Sequence, residues 1–219
     1  MKKRRISGLY AVTPETRDGD CLAVQVERAL IGGAQVVQYR NKSADLDLRR
    51  RQAVRLRDLC RLHEAALIIN DDVGLALEMD ADGVHLGRDD QSLVEARAML
   101  GAGKLIGISC YDSLGRADEA QRSGADYVAF GSFFPSSVKP QAARASLELL
   151  REARLELRLP VVAIGGITPD NGAALVEAGA DALAVISALF QVTDTLSAAR
   201  AFARLFVPSH EPLSIDSDQ

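Results

Sequence analysis

One short pattern recurs four times along this chain and limits what it can fold into more than any other feature. Gly33-Ala34-Gln35-Val36, Ala81-Asp82-Gly83-Val84, Gly124-Ala125-Asp126-Tyr127-Val128 and Gly179-Ala180-Asp181-Ala182-Leu183 follow one another at broadly similar intervals. In each, a helical pattern gives way through a small-residue turn to an apolar run. Gly stands at three of the four as the expected helix C-cap, since it enters the left-handed region without a Cβ penalty. The turns precede the second, fourth, sixth and eighth candidate strands. Those strands cover residues 6–12, 36–39, 67–69, 83–86, 105–109, 127–131, 161–164 and 182–186. They are short, continuously apolar and rich in Val and Ile, as strands covered by helices on both faces are, so a parallel sheet is expected. Between them lie stretches such as residues 22–31, 46–63, 93–100 and 147–155, apolar at helical spacing.

A unit of two strands and two helices repeated four times makes eight strands. With 219 residues, that predicts an α/β fold, a single (β/α)8 TIM barrel. A doubly wound open sheet competes, but no G-x-G-x-x-G follows the first strand. Hydrophobic residues make up 47% of the chain, enough for one sizeable core, and no interior linker divides it. The expected barrel domain is 1–207. Residues 208–219, with Pro208, Pro212, Ser214, Asp216, Ser217 and Asp218, read as a disordered acidic tail.

The net charge of -4 argues against a general nucleic-acid or membrane-surface partner, and Lys2-Lys3-Arg4-Arg5 reads as a solvated lead-in. No apolar run approaches the roughly 20 residues of a membrane span, and the N-terminus lacks the apolar core of a signal peptide. Cys21, Cys60 and Cys110 lie far apart without C-x-x-C spacing, which suits reduced thiols. A soluble cytoplasmic protein is expected; a homo-oligomer stays open.

In such a barrel the working residues sit at the C-terminal ends of the strands. After strand two comes Gln38-Tyr39-Arg40-Asn41-Lys42, where alternation puts Gln38, Arg40 and Lys42 on one side. An amide and two cations there suit a polyanion, although charged residues after a strand usually just mark the surface. After strand three comes Asn70-Asp71-Asp72 and after strand four Gly87-Arg88-Asp89-Asp90. Both also read as turns and helix caps. Acids at adjacent strand ends can nevertheless share one ion, and oxygen ligands without cysteine point to Mg²⁺ with substrate phosphates. Ser109-Cys110-Tyr111 follows strand five. After strand six, Phe133-Phe134-Pro135-Ser136-Ser137-Val138-Lys139-Pro140 combines hydroxyls and an ammonium group as an anion clamp, or is an ordinary polar loop. Ile164-Gly165-Gly166-Ile167-Thr168 and Ile186-Ser187-Ala188 follow strands seven and eight, where many barrels hold a phosphate. The histidines support no Ser-His-Asp triad: His63 ends a helix, His210 is in the tail, and His85 within strand four is expected to pack or support.

Asn70-Asp71-Asp72 with Ala81-Asp82-Gly83-Val84-His85-Leu86-Gly87-Arg88-Asp89-Asp90 resembles the N-D…A-D-G-V-H-L-G-Q-D-D signature of the thiamine-phosphate synthase family. The resemblance runs from Gly8-Leu9-Tyr10 through the strand-end motifs above to residues 184–189. It implies an enzyme, a transferase that joins 4-amino-2-methyl-5-(diphosphooxymethyl)pyrimidine to a thiazole phosphate and releases pyrophosphate. It also implies that Gln38, Arg40, Lys42, Asn70, Ser109 and Lys139 contact the pyrimidine diphosphate, that Tyr39 and Asn41 between them are substrate-binding, and that Asp71 and Asp90 are Mg²⁺ ligands. Ser136, Ser137, Val138, Gly166, Ile186 and Ser187 would line the thiazole phosphate site. A departing pyrophosphate needs charge stabilisation rather than a strong base, so Arg40, Lys42 and Lys139 with Mg²⁺ are the expected catalytic groups. Val138 replaces a usual threonine, Arg88 a usual glutamine and Asn41 a usual glutamate. A thiazole tautomerase and a non-catalytic phosphate-binding barrel are the alternatives; Tyr111 stands about where the tautomerases use a histidine.

Overall fold

The computed structural model describes residues 5–135 and 144–207. Their elements alternate: β1 (Gly8–Val12), α1 (Gly19–Ile31), β2 (Ala34–Tyr39), α2 (Leu46–Leu62), β3 (Ala66–Asn70), α3 (Val73–Glu78), β4 (Gly83–Leu86) and α4 (Leu93–Leu100) form the first half. The second half is β5 (Leu105–Tyr111), α5 (Leu114–Arg122), β6 (Tyr127–Phe130), α6 (Leu147–Glu156), β7 (Val161–Ile164), α7 (Pro169–Glu177), β8 (Ala182–Val185), α8 (Ser187–Phe190) and α9 (Thr195–Arg204). Each strand pairs in parallel with the next, and β8 closes on β1. The expected barrel is the observed one. Several boundaries differ: α1 starts at Gly19 because the Asp18 carboxylate caps the N–H groups of Asp20 and Cys21, and β5 runs on to Tyr111. No helix among the described residues is long and apolar enough to cross a membrane. Residues 208–219 lie outside the described residues.

The repeated turn acquires a structural meaning at the N-terminal end of the barrel. Gly33, Gly124 and Gly179 have φ of 107°, 88° and 111°, and Asp80, which precedes Ala81 in the second copy, takes the same left-handed conformation at 48°. Asp tolerates that region better than most side-chain-bearing residues. The aspartate two positions further on does more than turn the chain. Asp82, Asp126 and Asp181 accept the N–H groups that open the preceding strands, at Leu67 (2.9 Å), Ile106 (2.8 Å) and Val161 (2.9 Å). The turns before β4, β6 and β8 thus pin the starts of β3, β5 and β7.

Two apolar layers follow from strand alternation. Outward residues such as Leu9, Val37, Leu67, Val84, Val128 and Leu183 join the helices in one core. Inward residues, including Tyr10, Val36, Ile68, Leu105, Tyr127, Val162 and Ala184, fill the barrel axis. Following those inward positions toward the strand ends, apolar side chains give way to polar ones. Val36 leads to Gln38 and Arg40, Ile68 to Asn70, Gly83 to His85, and Leu105 through Gly107 to Ser109. A Cβ at Gly107 would fall within the Tyr127 ring, so glycine there is what admits this aromatic to the axis.

Candidate active site

A cavity of about 850 Å³ opens at the C-terminal end of the barrel. Its floor is a chain of hydrogen-bonding groups from five strands. Gln38 Nε2 donates to the Tyr10 hydroxyl (2.8 Å), which meets the Tyr127 hydroxyl at 2.9 Å. Tyr127 Oη lies 3.1 Å from His85 Nδ1, and His85 Nε2 lies 2.9 Å from Ser109 Oγ. Burial drives the phenols of Tyr10 and Tyr127 well above the ordinary value of 10.0, so both stay protonated and able to donate at neutral pH. The floor is therefore polar, with an apolar surround of Val12, Ala129, Val162 and Ala184.

The rim carries the charge. Arg40 lines the cavity, and its backbone is clamped by the fully buried Thr13, whose Oγ1 accepts the Arg40 N–H (2.9 Å) and donates to the Arg40 carbonyl (3.2 Å). Glu15 accepts the Lys42 N–H at 2.9 Å and lies 3.9 Å from the Arg40 guanidinium. Lys42 Nζ reaches Asp71 Oδ2 at 3.0 Å. Asp71 itself holds a left-handed backbone (φ 65°), an uncommon conformation for a residue with a side chain. Its carboxyl stands within hydrogen-bonding reach of Asp90. Burial raises Asp90 above the ordinary carboxylate range, and the proximity of Asp71 pushes it further, against the pull of the Gly87 N–H and of Lys42.

Two carboxyls that interact from adjacent strand ends form an oxygen donor set that a hard divalent cation would suit. Among the described residues no cluster of three or more His, Cys, Asp or Glu side chains is gathered as a metal cage. Mg²⁺ is the kind of ion that takes one or two carboxylates and completes its shell with water and ligand phosphate. Asp72, by contrast, is committed elsewhere: it caps α3 through the Leu75 N–H (2.8 Å) and pairs with Arg49 at 2.6 Å.

The opposite wall belongs to β7 and β8. Gly165 and Gly166 have φ of 107° and 65°, and the Phe134 N–H donates to the Gly165 carbonyl at 3.0 Å. A Cβ at Gly166 would collide with the backbone at Phe134 and Pro135, so this close approach requires glycine. Gly166, Ile186 and Ser187 all line the cavity, with Ser187 opening α8.

Of the residues singled out from sequence, the structure gathers Gln38, Arg40, Asn70, Ser109, Gly166, Ile186 and Ser187 around one cavity; Lys42, Asp71 and Asp90 interact with one another, the two acids standing next in sequence to its lining residues Asn70 and Asp89. Tyr39 and Asn41 are corrections. Strand alternation turns them outward, and both bond Gln52 Oε1 on α2, at 2.8 and 2.9 Å, away from the cavity. Ser136, Ser137, Val138 and Lys139 lie outside the described residues. Tyr10, Tyr127, Thr13 and Glu15 were not anticipated. The inward positions of β1 and β6 were the available signal for the two tyrosines, but an aromatic in an apolar strand reads as core.

Fold and site together define the class: an α/β-barrel enzyme with its working groups at the strand ends. Comparison with known proteins narrows this. The family model described as thiamine monophosphate synthase matches residues 9–189. A thiamine-phosphate synthase of Azoarcus sp. is 56% identical over 202 residues, covering 92% of this chain and 98% of that protein. That of Nitrosospira multiformis is 53% identical over 204 residues, covering 93% and 87%. The solved thiamine phosphate pyrophosphorylase from Pyrococcus furiosus superposes with a TM-score of 0.83 at 36% identity, covering 93% and 97%. The chain belongs to the thiamine monophosphate synthase family and is a transferase of thiamine biosynthesis.

Proposed function

We propose that this chain condenses 4-amino-2-methyl-5-(diphosphooxymethyl)pyrimidine with a thiazole phosphate, in the presence of Mg²⁺, giving thiamine phosphate and pyrophosphate. The observation that carries this reading is the division of the cavity. A hydrogen-bonding floor lies beside Arg40 and a linked Lys42–Asp71–Asp90 group, and a glycine-rich wall stands opposite.

The pyrimidine ring would lie on the Gln38–Tyr10–Tyr127–His85 floor, with its diphosphate toward Arg40 and Lys42. The exocyclic C–O bond breaks, the electron pair leaves with pyrophosphate, and a resonance-stabilised methylene cation remains. The thiazole nitrogen donates its lone pair to that carbon, forming the C–N bond. Mg²⁺ held by Asp71 and Asp90 would neutralise charge on the diphosphate. Arg40 and Lys42 hold cationic charge where negative charge grows, and Thr13 and Glu15 keep that segment in place before substrate arrives. The protein need not abstract a proton, which accords with a His85 bonded between Tyr127 and Ser109. Holding both partners in line can supply on the order of 7–11 kcal/mol of the barrier. Gly166, Ile186 and Ser187 would receive the thiazole phosphate. Tyr111 at the end of β5 weighs against a tautomerase, whose histidine stands about there.

Incubating the protein with both phosphorylated precursors and Mg²⁺ tests the proposal. Thiamine phosphate and pyrophosphate in equal amounts are expected; the absence of both would sink it.

A further inference from the structure

The turn that carries Asp90 is fixed by two consecutive backbone amides. The Gly87 N–H donates to Asp90 Oδ2 at 2.6 Å, closing the turn on itself. The next amide, that of Arg88, donates to the Tyr111 hydroxyl at 3.3 Å, tying the turn to the end of β5. Tyr111 is an unusual residue to find there. Its backbone is left-handed (φ 56°), beside a register irregularity between β5 and β6. A bulky side chain in that conformation costs free energy that the surroundings must offset. The surroundings are specific. The Arg88 guanidinium lies 4.9 Å from the ring centroid and that of Arg116 5.7 Å from it, and the Tyr111 carbonyl accepts the Gly131 N–H at 2.9 Å. The hydroxyl lies 3.7 Å from the position a Cβ at Gly87 would take, beside the Asp90 carboxylate at 3.0 Å from that same point.

We infer that Tyr111 is a positioning residue for the Asp90 half of the cation site. It braces the Gly87–Asp90 turn through its hydroxyl and engages the Arg88 side chain, which also lines the cavity, on its ring. The second part matters because of charge. A guanidinium two residues from Asp90, if released, is an intramolecular cation that can pair with Asp90 or Asp71 and compete with a divalent ion for them. An arginine beside a metal site is tolerable when something occupies it, and a cation–π contact does so without placing an anion there. This inference rests on Asp71 and Asp90 holding Mg²⁺ as proposed above.

The test is calorimetric titration of the intact chain with Mg²⁺ in the presence of inorganic pyrophosphate, alongside thermal unfolding of each variant. The wild type is expected to bind. Tyr111→Ala should weaken binding on the order of tenfold, as loss of groups that orient metal ligands does. Tyr111→Phe, which keeps the ring but not the hydroxyl, should lose less. The double variant Tyr111→Ala/Arg88→Ala should recover part of the lost affinity, because the competing cation is gone. A merely structural role for Tyr111 would lower the unfolding temperature without this rescue. Wild-type affinity in a folded Tyr111→Ala protein, or no recovery in the double variant, would overturn the inference. No binding by the wild type would overturn the cation site itself, and this inference with it.

Discussion

The hydroxyls of Tyr10 and Tyr127 meet at 2.9 Å on the axis of the barrel, joining strands that are 117 residues apart in sequence. They link Gln38 on one side to His85 and Ser109 on the other. Removing the middle of this chain should therefore be felt at both ends. Tyr127→Phe preserves the ring that fills the space over Gly107 but leaves the Tyr10 hydroxyl and His85 Nδ1 each short of one partner. Leaving buried polar groups unpaired costs about 1–3 kcal/mol. A lower urea midpoint is expected, with a raised KM for the pyrimidine substrate. An unchanged midpoint and KM would show that the floor is not a coupled unit.

At the rim, charge rather than shape is the quantity to change. Asp71→Asn is the informative substitution, because asparagine tolerates the left-handed backbone (φ 65°) that alanine would strain. Turnover should fall by roughly 10²–10³-fold, the usual scale for removing one electrostatic partner of a developing charge. Thermal stability in the absence of Mg²⁺ should change little, since relief of the repulsion with Asp90 offsets the lost, half-exposed Lys42 pair. Near-wild-type turnover would remove Asp71 from the cation site.

The barrel itself was legible because its signals are local and repeated. Continuous Val- and Ile-rich runs marked the strands, and Gly33, Gly124 and Gly179 marked the turns before β2, β6 and β8. The rim was legible because polar residues at the ends of apolar strands stand out: Gln38, Arg40, Asn70 and Ser109 all line the cavity. Tyr39 and Asn41 were misplaced because a contiguous motif was carried over whole, where the two-residue period of a strand admits only alternate members. The floor was hidden for the opposite reason. Tyr10, Tyr127 and His85 lie within strands, and only the closed barrel brings their hydroxyls and ring together.

The aspartates of the repeated turn stand in the sequence pattern, but their bonds to neighbouring strands appear only once the barrel closes. Asp181 accepts the Val161 N–H at 2.9 Å and so anchors the start of β7. Asp181→Ala leaves that amide unsatisfied at the closed end of the barrel, far from the cavity. A loss of roughly 1–3 kcal/mol in unfolding free energy is expected, with KM values unchanged. Equal stability of the variant would mean that the backbone bonds alone hold the turn.

Protonation of buried groups sets an alkaline limit on the fold. Burial pushes the Cys110 thiol from 9.0 to about 12 and the Tyr39 phenol from 10.0 to about 12, and raises Tyr10 and Tyr127 as well. The folded chain holds these protons more tightly than the unfolded chain. Their stabilisation is thus fully present below the unfolded values and is lost as pH rises through the folded ones. The urea midpoint should decline from about pH 9 upward on their account; a midpoint that rises between pH 9 and 11 would contradict this. By the same burial, a thiol reagent at pH 8 should modify exposed Cys21 promptly, and buried Cys60 and Cys110 only on unfolding.

The most direct test of the account is a crystal structure of the chain with thiamine phosphate, pyrophosphate and Mg²⁺. The account places the pyrimidine ring on the floor formed by Gln38, Tyr10 and Tyr127, the ion between Asp71 and Asp90, and pyrophosphate against Arg40 and Lys42. An ion bound elsewhere, or a pyrimidine ring seated against Gly166 and Ser187 instead, would contradict it.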